Sequence, residues 1–340
     1  MYVETRLSLL SSFYSFHLTA MHGMLQSIRN HYRQRKARKK APNLVELPLD
    51  VLCLIIDVLP LCGRVMFSQT CKSMRLLLGK ECASMVKNLP PNARLDLLAT
   101  FANVLPGVAL CVKCKQLHKF YRHDLPSRPY DFYVRNSCSL AGTYSTDHEF
   151  GFCYYIAYRH VQLAIKYTRL SAVKPWYMTK LLAPYHLKGY TNDKILKVTY
   201  DARPKIVNGR FLLYSCWKYS PNERAVDIST IPRCSYFCPH LRLVGNASAR
   251  ARTNALTAAV YMSLESPKVW INGSCDRCPT DYRVDTREST LTIWFWQDFG
   301  TGISPTDRTW KSHIWGPENG ENGPLAVTHE AGRIRRDYEG

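Results

Sequence analysis

Apolar residues recur at helical spacing in the first half of the chain and alternate with polar ones in the second, so the two halves predict different secondary structure. The clearest helical segment is LPLDVLCLIIDVLPLC, Leu47 to Cys62. Val51, Leu52, Ile55, Ile56 and Leu59 fall on one face of a helical repeat. Pro48 suits the first turn, where its missing N–H is no loss, and Pro60 stops the helix. The segment is roughly 16 residues long and interrupted by Asp50 and Asp57, whereas a membrane span needs about 20 apolar residues. No membrane association is expected. A second stripe, Phe67, Cys71, Met74, Leu77 and Leu78, predicts another helix. Pro90–Pro91 separates it from a third over Leu95 to Asn103. A fourth is predicted over Cys153 to Leu170, with Ile156, His160, Leu163 and Tyr167 on one face.

From about Lys194 the period changes to two. Leu196, Val198 and Tyr200 alternate with polar residues, and KIVNGRFLLY places Asn208–Gly209 between two apolar runs, a strong hairpin signal. DYRVDT and TLTIWFWQDF predict a second hairpin turning near Arg287–Ser289. No internal repeat is present. The expected fold class is α+β: a small N-terminal helical unit, then a Cys/His-rich mixed region ending in β-hairpins. The expected organisation is a basic disordered tail over 1–42, a helical domain over 43–88, a mixed helical, Cys/His-rich region over 89–190, a β-rich region over 191–315 and a disordered tail over 316–340.

Composition narrows the partners. A 46% hydrophobic content over 340 residues supports sizeable cores. The net charge of +20 favours acidic partners such as nucleic acid, an anionic membrane or an acidic protein surface, without choosing among them. RNHYRQRKARKK, Arg29 to Lys40, concentrates that charge; it reads as a nuclear-localisation or nucleic-acid contact, or as a plain solvated tail. The aromatic cluster WFWQDFGTG, Trp294 to Gly302, reads as a base-stacking surface or as the alternating faces of a core strand.

Thirteen cysteines are too sparse for a disulfide scaffold, and the number is odd. The C-x-x-C pairs Cys111/Cys114 and Cys275/Cys278 point to metal in a reducing compartment, cytoplasmic or nuclear. Sequons at Asn246 and Asn272 are then idle. Cys238 and His240 with Cys275 and Cys278 offer four ligands of zinc-compatible type, two short-spaced pairs that each clamp an ion from one tight turn. Gly273 and Pro279 suit that turn. Closed coordination would make such a site structural. Around the first pair, Cys138 is a candidate third ligand and His118, His123, His148 or His160 a candidate fourth. His160, on an apolar helix face, reads equally as a core residue. The alternative for all of these cysteines is burial as small apolar side chains.

The stretch LPLDVLCLIIDVLPLCGRVMFSQTCKSMRLLL resembles an F-box. Leu47–Pro48 matches the opening Leu-Pro of that motif, and Val51, Leu52, Ile55, Ile56 and Leu59 match its apolar positions. SQTCKSMRLL resembles its closing segment, with Thr70 at the usual Val and Met74 at the usual Trp or Phe. With CVKCKQLHKF, HVQLAIKYTRL, KIVNGRFLLY, CPHL, CDRCPTDYRV and WQDFGTGISPTDRTW, the chain is similar to F-box proteins of the fungal type. The resemblance implies docking to the Skp-type adaptor of an SCF-type cullin-RING ubiquitin ligase through Leu47, Pro48, Val51, Leu52, Ile55, Ile56 and Leu59, with Cys71 and Met74 in support. The remainder of the chain would recruit a protein substrate for ubiquitination and carry out no catalysis itself.

The alternative function is a zinc-containing nucleic-acid-binding protein. Enzyme motifs are sparse: the sequence has no G-x-S-x-G, P-loop, G-x-G-x-x-G or H-E-x-x-H. His329–Glu330 begins the last of these, but Arg333 stands at its second His position.

Overall fold

The computed structural model describes residues 47–112, 114–120, 123–127, 143–145, 154–170, 175–190, 195–221, 235–243, 254–314 and 325–340. The basic block, Cys138 and His148 lie outside them. The chain divides into two compact units, Met1–Arg64 and Val65–Gly340.

In the first unit, helix α1 spans Leu49–Val58. Pro48 caps its start, and Leu59 ends it in an extended conformation, as the residue before a proline must. Arg64 binds the carbonyls freed at that end, from Nε to Leu59 O and from Nη2 to Asp57 O, each at 3.0 Å. Leu52 and Ile56 are buried, while Val51 is exposed.

The single helix expected from the Phe67–Leu78 stripe is two. Helix α2 spans Leu61–Ser68 and α3 spans Lys72–Lys87. Thr70 Oγ1 donates to Phe67 O at 2.8 Å and Ser68 Oγ to Val65 O at 2.7 Å. These local bonds compete with helix continuation, and Cys71 is extended between the two helices. Helix α4, Pro91–Val104, starts on its proline and buries Leu95, Leu98, Ala99 and Ala102.

A hairpin follows, β1 (Val108–Cys111) with β2 (Gln116–Lys119). Strands β3 (Thr143–Ser145) and β4 (Tyr155–Ala157) form a second ribbon. The helix expected from Cys153 therefore begins at Tyr158: α5 spans Tyr158–Leu170, and α6 spans Pro175–Leu181.

Helix α5 buries the polar side chains Arg159, His160, Gln162 and Lys166 as well as apolar ones. Gln162 accepts from Leu110 N at 3.0 Å and donates to Ala99 O at 3.3 Å. Lys166 Nζ donates to Ala102 O at 2.7 Å, to Val108 O at 3.0 Å and to Leu105 O. Its charge thus sits on the carbonyl end of α4, where a cation is favoured.

The core of the second unit is an antiparallel six-stranded sheet ordered β10-β11-β12-β7-β6-β5. Its strands are β5 (Tyr185–Tyr190), β6 (Leu196–Val207), β7 (Arg210–Pro221), β10 (Ile271–Ser274), β11 (Thr280–Arg287) and β12 (Thr290–Asp298). Between β7 and β10 lie the ribbon β8 (Ser235–Tyr236) with β9 (Arg242–Leu243), and helix α7 (Ala255–Glu265). Both predicted hairpins form. Asn208 and Gly209 turn at φ 49° and 72°, and Glu288 and Ser289 at 48° and 59°, the left-handed pair that a two-residue hairpin needs.

After β12 come α8 (Arg308–Lys311) and α9 (Arg333–Glu339). The expectation of a disordered tail over 316–340 fails for its last part: Ile334 is buried with Leu212 and Trp296 on one sheet face, flanked by Tyr214, Trp294 and Tyr338. Phe295, on the other face, stacks on Phe237 at 4.3 Å. Of the aromatic run, Phe295, Trp296 and Phe299 are therefore core side chains rather than a stacking surface.

Candidate metal centres and docking helix

The ribbon β8–β9 and the turn between β10 and β11 bring Cys238, His240, Cys275 and Cys278 together, with ligand atoms all within 4.8 Å of one another. Cys238 Sγ lies 3.9 Å from Cys275 Sγ, and His240 Nδ1 lies 3.6 Å from Cys275 Sγ and 4.0 Å from Cys238 Sγ. Tetrahedral zinc bonded to thiolate and imidazole sets these edges at about 3.8 Å and about 3.5 Å, so the donors stand where that ion would hold them.

The turns are built for it. Cys275 N donates to Thr280 O at 2.8 Å and Thr280 N to Cys278 O at 2.7 Å, closing the loop. Leu241 N and Arg277 N point at Cys238 Sγ and Cys275 Sγ, at 3.2 Å and 3.5 Å, the kind of bond that steadies a thiolate. Gly273 is required: a Cβ there would lie 2.2 Å from the Tyr282 ring.

The three thiols share their charge unequally. Hydrogen bonds from Cys238 and Cys278 pull the Cys275 thiol far below its ordinary range. Burial and the neighbouring Cys275 charge push Cys238 and Cys278 far above theirs. Only Cys275 is thus a thiolate by itself; a cation among them would be needed to hold all three as thiolates.

The second group is Cys111, Cys114 and His118, again within 4.8 Å. Cys114 Sγ and His118 Nε2 are 2.8 Å apart. Burial raises the Cys111 thiol, but hydrogen bonds from His118 and Cys114 outweigh it and bring it to about 6. Of the four histidines considered for this pair, the structure groups His118 with it. His160 is a core residue: its Nδ1 accepts from Ala157 N at 3.1 Å, so its Nε2 carries the proton and donates to Asp124 at 3.0 Å. Asp124 also receives both arms of Arg159, at 2.6 Å and 2.8 Å. His329 Nε2, in the broken metalloprotease-type fragment, meets Asp281 Oδ1 at 3.0 Å.

The residues expected to dock a partner are divided by the fold. Leu52, Ile56 and Met74 are buried; Leu47, Ile55, Leu59 and Cys71 are half-buried; Pro48 and Val51 are exposed. The largest outward apolar side chains of α1 are ones the pattern did not single out: Val58 at 81%, Leu54 at 67% and Leu49 at 60% exposed. Val51, Leu54 and Val58 follow the i, i+3, i+7 spacing of one helix face. No helix among the described residues is long and apolar enough to cross a membrane.

The chain matches no protein-family model, no curated protein and no solved structure.

Proposed function

We propose that the chain is a substrate adaptor of an SCF-type cullin-RING ubiquitin ligase, docking on the Skp-type adaptor through α1. The observation that carries this reading is the exposed apolar row Val51, Leu54 and Val58, with Leu49 on the same helix. A helix of 10 residues gains little stability by itself. An apolar row at this spacing fits the helix-in-groove mode of recognition, where a few anchors dominate the affinity. The F-box resemblance of Leu47 to Leu78 supplies the identity of the groove.

In this reading the second unit presents the surface that recruits a protein substrate. A zinc-type ion held by Cys238, His240, Cys275 and Cys278 would staple the β8–β9 ribbon to the edge of the sheet; four protein ligands make it structural. Ubiquitin transfer belongs to other subunits, and this chain performs no chemical step. The nucleic-acid alternative loses support because Phe295 and Trp296 are buried, and it rests chiefly on the net charge of +20.

The test is co-expression of the full chain with a Skp-type adaptor, followed by gel filtration in low and high salt. A one-to-one complex that survives high salt supports an apolar seam. No complex, from a folded chain, overturns the reading. An association that disappears as salt rises favours the nucleic-acid alternative, whose phosphate contacts release counterions.

A further inference from the structure

The β1–β2 hairpin builds its own ligand set. Cys111 pairs with Gln116 and Ala109 with His118, so Cys111 and His118 are diagonal neighbours on one face of the ribbon. Leu110 and Leu117 occupy the other face and are buried. After Cys114 the chain reverses at Lys115, whose φ is 53°; this left-handed residue returns the strand so that Cys114 meets His118. From behind, Gln162 holds Leu110 N and Lys166 holds Val108 O. The three donors are therefore fixed by backbone pairing and by buried side chains of α5 before any ion arrives.

We propose that Cys111, Cys114 and His118 bind a second zinc-type ion, independent of the adaptor reading and of the Cys238 site, and that this ion is the more exchangeable of the two. Two thiolates and an imidazole suit a borderline-soft cation rather than magnesium or calcium. Entry of the ion would widen the Cys114–His118 contact to about 3.5 Å. Exchange follows from access: two of the three donors, Cys114 and His118, are half-buried with Cys111 buried, whereas in the other group only His240 of the four is half-buried.

The experiment measures zinc per chain in the purified full-length protein, alongside a C111S/C114S variant and a C275S/C278S variant. Two ions in the parent and one in each variant support the proposal. One ion lost only in C111S/C114S supports it while rejecting the Cys238 site. One ion lost only in C275S/C278S overturns it, as does a Cys111–Cys114 disulfide in the protein as isolated. Should C111S/C114S fail to fold, H118C serves instead. In cobalt-loaded C275S/C278S protein, H118C should raise the thiolate charge-transfer absorption by about half, as two sulfur ligands become three; an unchanged spectrum overturns the assignment. Against a colorimetric chelator, the ion retained by C275S/C278S should leave faster than the ion retained by C111S/C114S, and the reverse order overturns the claim of exchangeability.

Discussion

The carboxylate of Asp281, in strand β11, accepts the backbone N–H of Arg335 at 3.0 Å. The same side chain accepts Gly332 N at 2.9 Å and His329 Nε2 at 3.0 Å. Helix α9 has glycine at its N-cap and no capping side chain of its own. A distant strand residue therefore does the work that a neighbouring Ser or Asp does elsewhere.

Replacing Asp281 by Ala should destabilise the protein by about 1–2 kcal/mol through loss of this cap. Burial pushes the Asp281 carboxyl up, but His329, Arg335 N and Gly332 N outweigh it and hold the carboxyl below 3.8. A group lowered on folding contributes stability that is complete above its unfolded value and lost as pH falls through its folded value. Urea midpoints should therefore fall as pH drops below 3.8, and D281N should flatten that part of the profile. An identical slope in D281N would contradict the assignment.

If the Cys238 group holds an ion, removing it should lower the melting temperature, because metal binding and folding are coupled. Calorimetry with and without a strong chelator reads the effect, and C278S should reproduce it in untreated protein. Metal affinity should weaken toward acid pH, since Cys238 and Cys278 must each release a proton. A chelator with no effect on melting would remove the ion from any structural role.

On α1, L54E and V58E change exposed positions and should leave stability within about 0.5 kcal/mol. If the row docks on an adaptor, the double variant should abolish the complex. I56E places a charge at a buried position and should compromise folding instead. A folded double variant that still forms the complex would refute docking through this face.

Lys166 offers a sharper stability test. K166M removes the donor to Ala102, Leu105 and Val108 carbonyls and should cost about 1–3 kcal/mol for each acceptor left unsatisfied. Chemical denaturation measures it. A neutral result would mean that the end of α4 finds other partners.

The sequence exposes some of this architecture and hides the rest for identifiable reasons. Asn208–Gly209 announces its hairpin because few other pairs accept two positive φ values. The turn at Glu288–Ser289 has neither residue and is visible only through the alternating runs beside it. The break between α2 and α3 is hidden because the apolar stripe continues across Gln69–Cys71, while the bonds that break the helix come from Ser68 and Thr70. Helix α9 offers only Ile334 and Tyr338 to a pattern search, and its place depends on Asp281 and Trp296 far upstream. The four-ligand group is legible from spacing alone. His118 is not separable from the other histidines until strand register sets it opposite Ala109.

The pairing of β7 with β12 is the long-range contact in this sheet, and long-range pairing is expected to be the slow part of its assembly. Each of the two hairpins flanking that seam, β6–β7 and β11–β12, closes through two residues and can form in about 1–10 μs. The seam between them joins Tyr219 to Leu291, a loop whose closure costs about 4 kcal/mol of chain entropy. A tie between Cys238 and Cys275 shortens about half of that loop before the strands meet. Metal at that site would then act on the rate of folding as well as on the finished structure, and chains starved of zinc would linger as two separate ribbons with their apolar edges open to association.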